Sequence, residues 1–346
     1  MANGDVVSST VRKAPALHVW ILVLGVAATL GLSGWSHFLH VGQMESELHA
    51  AGQQFARELE GRVQSYIDTL PGLRAFALLN PSPDDREFQR YVQAISLQER
   101  FPGLALTFLI QRVRAAERDA FVQGVRRDRS VYPEGRPTFS IQPPGEREDY
   151  LVLRHTYPED PGGLGYDLLD TSQTYRAAAL RTAETGKVVA TGPLRLARDR
   201  DRASDPSLTS VVVRVPIYQS EEPPDSAAQR WAQLQALAGV SFNTVQLVQS
   251  SLPEFFRRER VRVQIIDARA EQDAAPAVVY DSLWETSEGS GGRLPAHQTD
   301  HLQDIMIADR TWRISFDAHP QWAVSDVSLP TWILLVAGFG LTALGW

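Results

Sequence analysis

Two apolar runs without Asp, Glu, Lys or Arg bracket this chain, at residues 14–36 and 329–346. At ~1.5 Å per residue, the first run is long enough to span a hydrocarbon core of ~30 Å. Arg12 and Lys13 precede it, and the next residue of those four types is Glu45. The positive-inside rule then predicts a cytoplasmic N-terminus at 1–13 and a first membrane span at 14–36. A cleaved signal peptide would have a shorter apolar core and a small-residue cleavage site, which WSHFLHVGQM does not offer. The second run is apolar all round, Trp332 suits an interface, and the chain reaches its last residue inside it. The expectation is a two-pass protein of the inner membrane, with its central region extracytoplasmic or periplasmic.

Between the runs the period changes twice. Met44, Leu48, Ala51, Phe55, Leu59, Val63, Tyr66 and Leu70 recur at helical steps, predicting that the first span continues into a stalk helix over 41–79 with a break near Pro71-Gly72. Its stripe can pack on its own domain or on a second copy, so a homodimer is expected. Ser82 or Asp84 can cap the helix DREFQRYVQAI. LALTFLIQRV, YLVLRHT, VVATGPLRL and SVVVRVPIY then read as strands, and GVSFNTVQLVQSSL as a strand turning into a helix. PTFSIQP reads as a short edge strand, and AAERDAFVQGVRRD as a surface helix. Asp170 or Thr171 can cap SQTYRAAALRTAETG. A second block, with strands VRVQIIDAR, AVVYDS and RTWRISFDAHP, surrounds a polar loop, WETSEGSGGRLPAHQTD. The predicted class is α+β, with a larger α/β module over 80–250 and a smaller one over 251–325.

Charge and composition narrow the function. The 346 residues carry a formal net charge of −7, so a nucleic-acid partner is not expected. The absence of cysteine excludes disulfides and Cys-ligated metals. Gly186-Lys187 in ETGKVVATGPLRL invites a phosphate-loop reading, but Arg181 and Val188 replace the required Gly and Ser/Thr. Gly186 instead suits a helix C-terminus, with Lys187 complementing the dipole. His297 and His301 stand four apart, yet Gln298 replaces the glutamate of a zinc protease and no third ligand follows. No metal or cofactor is implied. A Gly-x-Ser-x-Gly elbow is absent, so a tethered hydrolase is the weaker alternative.

Four segments in order resemble a known family. They are FPGLALTFLIQRVRAAERDAFVQGVR, GYDLLDTSQTYRAAALRTAETGKVVATGPLRL, VVVRVPIY and GVSFNTVQLV, together covering about residues 95–250. This pattern is similar to the CHASE domain, the sensory input of cytokinin-receptor-like histidine kinases and of diguanylate cyclases. The resemblance implies a stalk helix carrying two PAS-like modules, the distal one binding a small ligand. It also implies a sensor rather than an enzyme, unless a kinase or cyclase module lies beyond residue 346. Asp167, beside Tyr166, matches the family's ligand-bonding Asp, and Thr191 matches a pocket Thr. Arg214 stands among valines where an adenine pocket would be apolar, turning the expectation toward an anionic ligand. Arg154 and Arg214 are the candidate guanidinium clamp, with Arg195 a weaker third.

Overall fold

The computed structural model describes residues 15–317, apart from 203–204, 221, 259–260, 270–276 and 286–300, together with 336 and 340. Residues Gly52–Asp317 form one compact unit, and the site lies within it. The other unit, Met1–Ala51 with Ala318–Trp346, is represented mainly by the first part of helix α1 (Pro15–Ile67).

The α+β class holds, with two sheets, but the expected membrane-spanning helices are not seen among the described residues. Among the described residues no helix is long and apolar enough to cross a membrane. From Pro15 the run forms the first part of a 53-residue helix, α1, continuous with the stalk as expected. Between positions 23 and 36, Gly25, Thr29, Gly31, Ser33, Gly34 and Ser36 dilute its apolar character. The expected span at 329–346 lies outside the described residues, apart from single positions at 336 and 340.

Helix α2 (Leu70–Leu79) follows α1 directly, with Pro71 in its first turn, where a missing N–H costs nothing. Helix α3 (Asp85–Ala94) starts in a full capping box: Asp84 accepts from Glu87 N, and the Glu87 side chain accepts from Asp84 N. Helix α4 (Leu97–Arg100) then leads into the first sheet. That sheet holds β1 (Leu104–Arg114), β2 (Asp149–Tyr157), β3 (Val189–Ala190), β4 (Ser210–Tyr218) and β5 (Leu234–Asn243), in the antiparallel order β2-β1-β5-β4-β3. Every residue of β4 is buried, because α2 covers one face and α6 (Gln173–Thr185) the other. Helix α6 comes close to the sheet because its buried residues, Ala178, Ala179, Thr182 and Ala183, are small. It ends at Gly186, whose φ of 73° is left-handed, as the Gly-Lys pair predicted.

Helix α5 (Arg118–Arg127) packs beside β1, and α7 (Ala227–Gln233) beside α6. Helices α8 (Thr244–Ser251) and α9 (Glu254–Arg258) lead to the second sheet. Its strands β6 (Arg262–Asp267), β7 (Val278–Asp281), β8 (His301–Ile307) and β9 (Arg310–Asp317) run in the order β7-β6-β9-β8. Phe55 of α1 meets Phe256 and Phe316 edge-on, at 6.0 and 6.3 Å between centroids, and seals one face of this sheet.

Some local expectations shift. VVATGPLRL pairs only at Val189–Ala190 and then through a single bridge, Leu194 to Ser210, since Pro193 has no N–H to give the ladder. PTFSIQP contributes only the bridge Gln142 to Tyr166. Ser172, not Asp170 or Thr171, occupies the N-cap position of α6. Strand β8 is an addition. It exposes Leu302 and Met306 while burying Ile305 and Ile307, so apolar residues on both faces blur the period of two. His301 lies on that strand, not a helix, and His297 lies outside the described residues.

Candidate functional site

The first sheet and α6 are held apart locally by a cavity of about 400 Å³. Side-chain rows across the sheet make its floor. In one row Phe108, Gly239 and Arg214 are direct cross-strand partners on β1, β5 and β4. In the next, Leu106 and Val212 flank Ser241. The walls are Leu153 of β2, Tyr166 and Leu168 from the loop after β2, Tyr175 of α6, and the segment from Pro193 to Ala197. Tyr175 Oη donates to the Arg195 carbonyl at 2.8 Å and ties α6 to that segment.

Gly239 makes the floor possible. A Cβ there would lie 2.4 Å from the Val213 carbonyl oxygen and 2.5 Å from Phe108 Cζ. The Phe108 ring therefore leans over a position that only glycine can occupy. Gly239→Ala is expected to lower stability by about 1–3 kcal/mol through overpacking and to drive the Phe108 ring into the cavity. Thermal melting checks the first effect; an unchanged melting temperature would show that the floor yields freely.

Arg214 dominates the chemistry. It is 1% exposed, and neither Nε nor Nη1 has a hydrogen-bond partner among the described residues. Its guanidinium lies 6.0 Å from the Phe108 ring centroid and 5.9 Å from that of Tyr175. Those ring faces offset little of the desolvation of a full charge. Burial pushes the Arg214 pKa down to about 10, and the nearby Arg181 charge adds to it. Even so, the group stays cationic at neutral pH. The Ser241 hydroxyl, on the same floor, also lacks a partner among the described residues. A buried cation beside an unsatisfied hydroxyl, facing an empty volume, is an arrangement that an anion completes.

The other candidates divide. Tyr166 and Arg195 line the cavity with Arg214. The Arg195 guanidinium is already engaged, with Nη1 donating to Thr209 Oγ1 at 2.7 Å. Asp167 does not line the cavity: its Oδ1 accepts from Leu151 N at 2.9 Å and from Leu169 N at 3.1 Å, pinning the edge of β2 to a short 3-10 turn at Leu168–Asp170. Thr191 is fully buried, and its Oγ1 accepts from Val212 N at 3.1 Å.

Arg154 belongs to a separate buried cluster. Its Nη1 meets Asp85 Oδ1 at 2.5 Å and its Nη2 meets Asp128 Oδ2 at 2.8 Å. Arg136 Nε reaches Asp85 Oδ2 at 2.6 Å, and His155 Nδ1 lies 3.0 Å from Asp85 Oδ1. Burial alone would raise the Asp85 pKa; the His155 hydrogen bond and the charges of Arg154 and Arg136 hold it far below the usual carboxylate range. Arg154 and Arg214 are therefore not brought together as a clamp. Sequence reasoning missed Asp160, Ser241 and Phe108. The YPEDPGGLG loop and the Gly239-Val240-Ser241 step carry Asp160 and Ser241 without any recognisable periodicity, and Phe108 stands in the continuous apolar run of β1.

A family profile described as the CHASE domain matches residues 81–280, more than half of the 346-residue chain. That stretch includes the whole first sheet and the cavity. The structure is also similar to the periplasmic sensory domain of a Campylobacter jejuni chemoreceptor, at 10% identity and a TM-score of 0.47, over 82% of this chain and 98% of that one. The match of the profile to the sheet, to α6 and to the cavity they enclose places this chain in the CHASE domain family of sensory domains.

Proposed function

We propose that this chain is an extracytoplasmic sensor whose first sheet and α6 enclose a small, largely apolar ligand bearing one anionic group. The observation that carries this reading is Arg214: a guanidinium that is 1% exposed, with two donor nitrogens lacking partners, in the floor of a cavity of about 400 Å³. An unpaired buried charge is costly, and a ligand carboxylate or phosphate removes that cost. Membership of a sensory family supports the same reading and assigns the chain no catalysis.

The route out of the cavity is short. Leu194 and Arg195 in its wall follow Ala190 closely, and Ala190 N donates to Asp309 Oδ1 at 2.8 Å, in the turn between β8 and β9. Arg181 of α6 donates to the Ala190 carbonyl at 3.1 Å and lies 3.4 Å from Asp309. A ligand that favours one placement of this wall shifts the second sheet, provided it binds two arrangements with different affinity.

The test is thermal melting of the purified chain with inorganic phosphate and with a panel of aliphatic and aromatic monocarboxylates. Some carboxylates or phosphate should raise the melting temperature of the wild-type chain and leave Arg214→Met unchanged. Equal shifts in both proteins would overturn the assignment.

A further inference from the structure

The cavity also holds a carboxylate. Asp160 is 3% exposed and lines the same cavity as Arg214; its carboxylate accepts from the N–H groups of Gly163 and Gly162, and no salt bridge within 4 Å reaches it among the described residues. Its backbone N donates to Thr156 Oγ1 at 2.8 Å, which seats it over the β2 end of the sheet. Thr156 is the cross-strand partner of Phe108, so Thr156, Phe108, Gly239 and Arg214 form one continuous row from β2 to β4. Strands stand ~4.8 Å apart, so the two ends of the row are roughly 14 Å apart at Cα, less the inward reach of the Arg214 side chain. The opposite charges thus face a common volume from opposite ends, across a floor made by the Phe108 ring. The groups around Asp160 do not neutralise it: burial raises its pKa, while the Arg198 charge and the N–H groups of Gly163 and Gly162 oppose that rise and the Asp199 charge adds to it.

Resting on the anion reading above, the geometry points to an amino carboxylate as the ligand, its carboxylate on Arg214 and Ser241 and its ammonium on Asp160. Two opposite charges buried at the ends of one cavity each lack a salt-bridge partner among the described residues, and such a molecule supplies both. The apolar wall between them, Leu106, Ile110, Leu153 and Val212, takes the carbon skeleton. The site then selects by difference, since a carboxylate lacking the amine leaves the desolvated Asp160 without a cationic partner.

The experiment is thermal melting of the full chain, titrated with the common L-amino acids, β-alanine, γ-aminobutyrate and ε-aminocaproate. Each is compared with its N-acetyl derivative and with the matching carboxylate lacking the amine. At least one amino carboxylate should stabilise the protein at about tenfold lower concentration than its acetylated or amine-free counterpart. Asp160→Asn should remove that preference while keeping the response to carboxylates, and Arg214→Met should remove both. The acetylated probes make the same comparison on the wild-type chain should Asp160→Asn not fold. If amine-free carboxylates bind as well as amino carboxylates, the Asp160 assignment falls and the anion reading stands. If neither class shifts the wild-type protein, both fall.

Discussion

Arg214→Met is expected to raise the melting temperature of the ligand-free protein. Most substitutions of a fully buried residue in a sheet destabilise, so the sign is the informative part. Here the native side chain carries a full charge into the interior, with Nε and Nη1 unpaired among the described residues. Methionine keeps a flexible, unbranched apolar stem beside Phe108 and Tyr175 and discards the charge. Replacing buried charge with apolar volume stabilises by ~1–4 kcal/mol in favourable cases. For a domain of this size that corresponds to about 2–4 °C per kcal/mol. The pH dependence has a definite sign. The folded pKa, about 10, lies below that of the unfolded chain, so the penalty is fully present below that value and fades as pH rises through it. The gain from methionine should therefore be constant across neutral pH. A melting temperature that falls instead would show that the guanidinium is a structural brace and not a recognition group.

Asp85→Asn should act in the opposite direction. Asp85 receives Arg154 at 2.5 Å, Arg136 at 2.6 Å and His155 at 3.0 Å, at the N-terminus of α3. An amide there leaves Arg154, 6% exposed, facing only Asp128. Removing one partner of a buried charge pair costs about 3–5 kcal/mol, a drop on the order of 10 °C here. Acid should mimic the substitution. The Asp85 carboxyl is held below its unfolded value, so its stabilisation is complete above about pH 4 and is lost as pH falls through the folded value. Asp128 and Glu159, also held low, add to the same slope. The gap between the melting temperatures of wild type and Asp85→Asn should be constant above about pH 4 and begin to narrow below it, most steeply at the lowest pH reached. Parallel curves with a constant gap would mean that the pairing is not what the carboxylate supplies.

What the sequence disclosed followed from periodicity and from turn chemistry. The strand at Ser210–Tyr218 and the helix ending at Gly186 were legible because burial on two faces and a left-handed cap each leave a local signature. Arg214 was legible as a charge among valines. The first membrane span was misread because an uncharged run satisfies a composition rule even where Gly, Ser and Thr dilute its apolar character. Arg154 was misassigned for a different reason: a mid-strand arginine looks the same in sequence whether its partner is a ligand or Asp85, which lies 69 positions away. Asp160 and Ser241 were illegible because their meaning depends on cross-strand register, which places them over a floor that Gly239 keeps open.

The most direct test of the cavity assignment is calorimetric titration of the best-stabilising carboxylate into the wild-type chain and into Arg214→Met. A single site on the wild type, weakened at least about 30-fold by the substitution, corresponds to the ~2 kcal/mol or more expected when a buried charge-assisted contact is lost. Equal affinity in the two proteins would place the anion elsewhere and contradict the assignment.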